Sequence, residues 1–155
     1  MNLPTLRIVS GGQTGADRAA LDWAIKHGIP HGGWCPKGRR SEDGTIPSQY
    51  QLQESPTRNY FQRTEWNVRD SDGTVIFGVR KHLSGNSFET LEFAIKHRKP
   101  YLHLSAVFKE HAASELKKWM QQNNIRVLNV AGPRASKEPA VAEFVIATLD
   151  AALKP

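Results

Sequence analysis

The pattern of apolar and polar residues changes along the chain between two kinds of segment, one typical of strands and one typical of helices. The two kinds alternate from one end of the chain to the other. Short apolar runs such as Leu6–Ser10 and Thr74–Gly78 are typical of buried strands. Thr14–His27 instead repeats apolar residues every three to four positions, as an amphipathic helix does. The same reading predicts strands at Ile29–Gly33, Pro100–Leu104 and Ile125–Val130, and helices at Arg58–Arg69, Phe88–Ile95, Ala112–Asn123 and Glu138–Leu153. This alternation predicts an α/β protein with a mainly parallel sheet flanked by helices.

The periodic pattern lapses between Trp34 and Pro56. Pro, Gly, Ser and charged residues dominate this stretch, which is unusually long for a connection inside a compact domain. Loops of this length are typical of functional segments, of lids or of mobile regions.

The bulk composition is that of a globular protein. The 155 residues, 39% hydrophobic and 23% charged, suit one domain spanning 1–155. No apolar run approaches the ~20 residues that cross a bilayer, so no membrane association is expected. A single cysteine, Cys35, excludes an internal disulfide, which agrees with a reducing, cytoplasmic location.

The formal charge of +6 favours an anionic partner. The basic residues are scattered, however, and no zinc-finger spacing or aromatic RNA-binding signature accompanies them. A nucleic-acid module is therefore the weakest interpretation, and a small phosphorylated ligand is the stronger one.

Two glycine-containing turns, Ser10–Gly15 and Ser84–Ser87, follow predicted strands and begin helices. In the first, glycines free the backbone for a concave turn, the helix start attracts a phosphate, and Thr14 is expected to cap the helix with Asp17 as its partner. In the second, hydroxyls, an amide and backbone N–H groups suit anionic oxygens, and Ser87 is expected to cap. Because both turns follow parallel strands, we expect them at one edge of the sheet. The predicted ligand-binding residues in them are Gly11, Gly12, Gln13, Thr14, Gly15, Asp17, Ser84, Gly85, Asn86, Ser87 and Thr90.

The stretch His31–Arg40 adds two further candidates, Lys37 and Arg39. A planar ring could stack on the indole of Trp34, and the two neighbouring cations could then bind the acidic groups of that ring. Cys35 could ligate a soft metal or react, although a lone cysteine after a strand is more often simply buried. The six histidines show no metal-ligand spacing, so no protein metal site and no catalytic set is predicted.

The chain resembles the molybdenum cofactor carrier family. The resemblance extends over residues 6–150 and rests on four motifs: Ser10–Asp22 (SGGQTGADRAALD), His31–Gly44 (HGGWCPKGRRSEDG), Tyr60–Gly73 (YFQRTEWNVRDSDG) and Ser84–Thr90 (SGNSFET). It implies a three-layer Rossmann-like fold, homo-oligomers (dimers or tetramers), a pocket built from the two turns and molybdenum cofactor (molybdopterin) as bound ligand. Molybdoenzymes are the partners that such a carrier implies.

The same wider group contains nucleotide phosphoribohydrolases, and a nucleotide-binding enzyme is the alternative function. Their turn reads Gly-Gly-x-Gly-Thr-x-x-Glu. This chain has Asn86 where its own family usually has a second glycine, and we expect Asn86 to take a left-handed backbone conformation. Thr90 stands where the hydrolases have their catalytic glutamate. A binding or carrier protein is therefore favoured over an enzyme.

Overall fold

The computed structural model describes residues 6–155. These residues form five α-helices and nine strands. The helices and the five strands of the central sheet lie within a few residues of their predicted bounds, whereas the four short strands between Trp34 and Glu54 were not predicted. The strands are β1 Arg7–Val9, β2 His31–Gly32, β3 Trp34–Cys35, β4 Arg40–Ser41, β5 Gly44–Thr45, β6 Gln53–Glu54, β7 Gly73–Gly78, β8 Tyr101–Ser105 and β9 Val127–Ala131. The helices are α1 Ala16–Lys26, α2 Tyr60–Arg69, α3 Asn86–Lys96, α4 Lys109–Gln122 and α5 Val141–Leu153. No helix among these residues is long and apolar enough to cross a membrane.

The central sheet has five parallel strands in the order β2-β1-β9-β7-β8. The last strand of the chain, β9, lies between β1 and β7. If β9 is counted first, the order becomes 3-2-1-4-5, which is that of the first five strands of a Rossmann sheet. The strand order therefore reverses at β9, between β1 and β7.

Helices cover both faces of the sheet. On one face α5 packs between α1 and α4, and on the other α2 packs against α3. The larger core joins α1, α4 and α5 to alternate strand residues such as Ile8, Val75, Phe77 and Leu128, all fully buried. Phe77 meets Phe144 edge-on, with ring centroids 5.5 Å apart. The predicted three-layer, Rossmann-like α/β fold is confirmed.

The long segment after β2 is ordered by short strand pairings, by contacts with α2 and by a small second core. β3 pairs in parallel with β6, and β4 with β5 form an antiparallel hairpin. The Asn67 side chain holds the segment to α2, since it accepts from the Trp34 N–H at 2.8 Å and donates to the Trp34 carbonyl at 2.9 Å. Leu21, Cys35, Ile46 and Tyr50 form a second, smaller core beneath it.

Candidate functional site

A cleft lies at the carboxyl ends of β1, β7 and β9, where the strand order reverses. Open α/β sheets bind their ligands at this position. The cleft encloses about 60 Å³ and opens to solvent. Seven of the predicted binding residues line it: Gly11, Gln13, Asp17, Ser84, Asn86, Ser87 and Thr90. Both predicted turns therefore face one cavity.

An ion pair between Asp17 and Arg63 lies in this cleft. Arg63 Nη1 is 3.0 Å from Asp17 Oδ2, and the two side chains are 12% and 6% exposed. Burial raises the pKa of the Asp17 carboxyl, although Arg63 and the Gln13 N–H, which donates to it at 3.2 Å, both act to lower it. Arg63 Nε is buried and finds no hydrogen-bond partner among residues 6–155. An anionic ligand would supply the missing acceptor.

The position of Arg63 depends on Gly11. A Cβ built on Gly11 would lie 1.7 Å from Arg63 Nη1 and 2.7 Å from its Cζ. Only glycine at this position lets the guanidinium lie against the first turn. Sequence reasoning missed Arg63, which is carried by α2, some fifty residues further along the chain.

The first turn uses several of its N–H groups internally. The Gln13 N–H donates to Asp17, the Thr14 N–H donates to Gln13 Oε1 at 3.0 Å, and the Ala16 N–H donates to the Pro133 carbonyl at 3.2 Å. The predicted Thr14 cap is wrong, because the residue that caps α1 is Gly15, without a side-chain hydrogen bond. Thr14 Oγ1 instead contacts Glu42 and accepts from the Ala135 N–H.

Gly12 and Gly15 of this turn do not line the cleft but permit close packing beside it. Gly12 has φ +80°, and a Cβ there would lie 2.6 Å from Leu52. Gly15 has φ +82°, and its Cβ would lie 2.5 Å from the Pro133 carbonyl oxygen. The glycines bring the first turn against neighbouring loops as well as against Arg63.

The second turn presents its polar side chains to the cleft from the start of α3. Gly85, not Asn86, takes the positive φ (56°), and Asn86 begins the helix. The predicted Ser87 cap is wrong, since Gly85 caps α3 and Ser87 lies inside it. Ser87 and Thr90 are buried, and Thr90 Oγ1 donates to the Asn86 carbonyl at 3.1 Å.

A third wall of the cleft was not predicted. It is the loop between β9 and α5, which contributes Gly132, Pro133, Arg134, Lys137 and Glu138. Lys137 Nζ lies 2.8 Å from a Cβ built on Gly85, so this loop meets the second turn. The one signal in the sequence was Gly132, two residues after the strand predicted at Ile125–Val130.

The candidates in the stretch His31–Arg40 lie away from the cleft. Arg39, with φ 53°, donates to the carbonyls of Ile46, Pro47 and Tyr50, and Lys37 is exposed. Neither cation lines the cavity.

Cys35 lies in the small second core. It is fully buried, and burial raises the pKa of its thiol. Within residues 6–155, no three His, Cys, Asp or Glu side chains are placed to hold a metal ion.

Comparison with known proteins identifies the family. A model of the circularly permutated YpsA SLOG family matches residues 8–153. The crystal structure named "Putative molybdenum carrier protein", from Syntrophus aciditrophicus, is 50% identical, with a TM-score of 0.93 over 97% of this chain and 96% of that one. No curated protein matches. The sheet order agrees with a permuted Rossmann unit, and the resemblance to the molybdenum carrier family is confirmed. The chain belongs to the circularly permutated YpsA SLOG family.

Proposed function

We propose that this protein is a cytosolic carrier of molybdenum cofactor or a similar phosphorylated pterin, and that the cleft binds the anionic end of that ligand. The observation that carries the proposal is the Arg63 guanidinium, whose buried Nε has no protein partner within residues 6–155, in a cleft lined by the two predicted turns. The name of the 50% identical crystal structure supports the choice of cargo.

The chemistry of the lining residues favours an anion over a bare metal ion. The part of the cleft formed by residues 6–155 is lined by no histidine or cysteine, the side chains that ligate soft metals. It offers instead the hydroxyls of Ser84 and Ser87, and three cations (Arg63, Arg134 and Lys137) against two carboxylates (Asp17 and Glu138). Hydrogen-bond donors of this kind recognise the oxygens of a phosphate or of an oxo-metal group.

The size of the cleft limits how the ligand is held. Pockets that bury drug-sized ligands enclose roughly 300–1,000 Å³, whereas this cleft encloses about 60 Å³. The phosphate or oxo group would be enclosed, and the pterin ring would lie at the open mouth. Strong binding of the intact cofactor then requires the cleft to open, or a second copy of the chain to cover the ring.

One observation favours a second candidate, an enzyme acting on a nucleotide. Asp17 is a buried carboxyl inside the cleft, and burial raises its pKa, as is typical of acid–base residues. Thr90, however, stands in the cleft where the related hydrolases carry a glutamate. Release of a base or phosphate from a nucleotide, abolished in Asp17→Asn, would establish this second function.

The carrier proposal is tested by anaerobic titration with molybdenum cofactor, with bound molybdenum measured after gel filtration. Ser87→Asp places a negative charge in the cleft and is expected to lower the affinity at least tenfold. Ser114→Asp, on the exposed face of α4, makes the same change far from the cleft and serves as control. Equal binding by both variants, or none by the unmodified protein, would contradict the proposal.

A further inference from the structure

Two neighbouring carboxylates at the tip of the hairpin Arg40–Thr45 hold it to different parts of the protein. Asp43 binds α1: its carboxylate accepts from Arg18 Nη1 at 2.5 Å and from Nη2 at 2.8 Å. Ser41 Oγ accepts from the same guanidinium at 2.8 Å. None of these three residues lines the cleft, so this attachment does not depend on what the cleft contains.

Glu42 binds the walls of the cleft instead. Its carboxylate accepts from the hydroxyl of Thr14 in the first turn, and from Ser136 in the third wall through the N–H at 3.2 Å and through Oγ at 2.5 Å. Arg134 Nε lies 3.4 Å from Glu42 Oε1. The Glu42 N–H donates to Gln13 Oε1 at 2.9 Å. Gln13 and Arg134 are themselves cleft residues.

The groups around the Glu42 carboxylate are those that bind a phosphate. Two hydroxyls, one backbone N–H and one guanidinium converge on it, and each would serve an oxyanion equally well. Hydrogen bonds from Ser136 and Thr14 stabilise the Glu42 carboxylate and lower its pKa. Its side chain is 24% exposed and that of Arg134 is 37% exposed. The contact is therefore weak enough, as exposed ion pairs are, for a dianion to compete with it.

We propose that Glu42 is an internal anion that occupies a second oxyanion subsite, formed by Thr14, Ser136 and Arg134, and that an anionic ligand displaces it. The hairpin then detaches from the cleft walls while Asp43 and Arg18 keep it attached to α1, and the mouth of the cleft widens. The ligand group is a dianionic oxyanion, either a phosphate ester or an inorganic oxyanion. This inference rests on the proposed anion-binding function and supplies the opening that the small cleft volume requires.

Two measurements on the full chain test whether an anion displaces Glu42, with inorganic phosphate and molybdate as probes. Hydrogen exchange by mass spectrometry reports on residues 40–45, and calorimetry gives the dissociation constants. Saturating phosphate is expected to speed exchange of the hairpin amides. Glu42→Gln keeps the shape but removes the charge. The hairpin amides of this variant should exchange fast without ligand. The variant should also bind the probe about two- to fivefold more tightly, the factor that corresponds to an exposed ion pair of ~0.4–1 kcal/mol.

Glu54→Gln is the matched control, because Glu54 lies in the same segment, binds the Gly38 N–H at 2.7 Å and does not line the cleft. Tighter binding of one probe in Glu42→Gln assigns the subsite to that chemistry, phosphate or oxometalate. Equal affinity in all three proteins would contradict the displacement of Glu42 but not the proposed anion-binding site. Binding of neither probe, in the unmodified chain or in Glu42→Gln, would overturn both.

Discussion

Replacing Gly15 by alanine tests whether the first turn and the third wall depend on their close approach. The Gly15 backbone, at φ 82° and ψ −126°, is one that residues with a Cβ rarely adopt, at a cost of ~1–3 kcal/mol. A Cβ would also lie 2.5 Å from the Pro133 carbonyl oxygen and 2.7 Å from the Ala135 nitrogen. Moving backbone apart to relieve such contacts costs a further ~1–3 kcal/mol. Gly15→Ala should therefore lower the free energy of unfolding by about 2–6 kcal/mol.

Gly28 offers a control that has a positive φ without the collision. It has φ +66°, and a Cβ there would meet nothing within 4 Å. Gly28→Ala should lower the free energy of unfolding by only ~1–2 kcal/mol, the cost of placing a residue with a Cβ in a left-handed backbone conformation. Urea denaturation of both variants gives the two free energies of unfolding. If the two losses are equal within ~0.5 kcal/mol, the loop contact does not contribute and the reasoning is wrong.

Three further predictions concern the cleft, the surface and the thiol. Arg63→Gln should weaken phosphate binding by about ten- to a hundredfold, the value of a charge-assisted hydrogen bond. Calorimetry measures the loss, and an unchanged affinity, as expected for the exposed Arg58→Gln, would contradict it. Lys96 and His97 lower the pKa of Glu65 below 4.5, so their stabilisation of the folded state is present above pH ~4.5 and lost as the pH falls through the folded-state pKa. Between pH 6 and pH 3, the free energy of unfolding should fall by ~0.3–1 kcal/mol less in Glu65→Gln than in the unmodified protein. An equal fall in both proteins would disprove the pairing. Cys35 should react with a thiol reagent only after unfolding, whereas rapid labelling of the native protein would show that it is accessible.

Local patterns predicted the elements of this fold but not their arrangement. Strands such as β7 are apolar in sequence because helices cover both faces of the sheet, and that signal is local. The position of β9 between β1 and β7 is not local, because it depends on pairing between residues more than fifty positions apart. The strand order, and with it the point of reversal, therefore required the structure.

The candidate site divides in the same way. The two turns were predictable because glycine and hydroxyl residues stand between a predicted strand and the predicted helix that follows it. Arg63 and the loop after β9 were not, since only the strand order brings them beside those turns. The caps predicted at Thr14 and Ser87 failed because Gly15 and Gly85 take the capping positions with positive φ, which frees both hydroxyls for other contacts.

Native mass spectrometry of the purified protein, followed by denaturation and identification of what is released, tests the central claim most directly. The account predicts a phosphorylated pterin or a molybdenum species at about one per chain, and the same spectrum gives the oligomeric state. Ser87→Asp purified in parallel should lack the ligand. A co-purifying nucleotide in place of the pterin would contradict the carrier assignment and favour the enzyme.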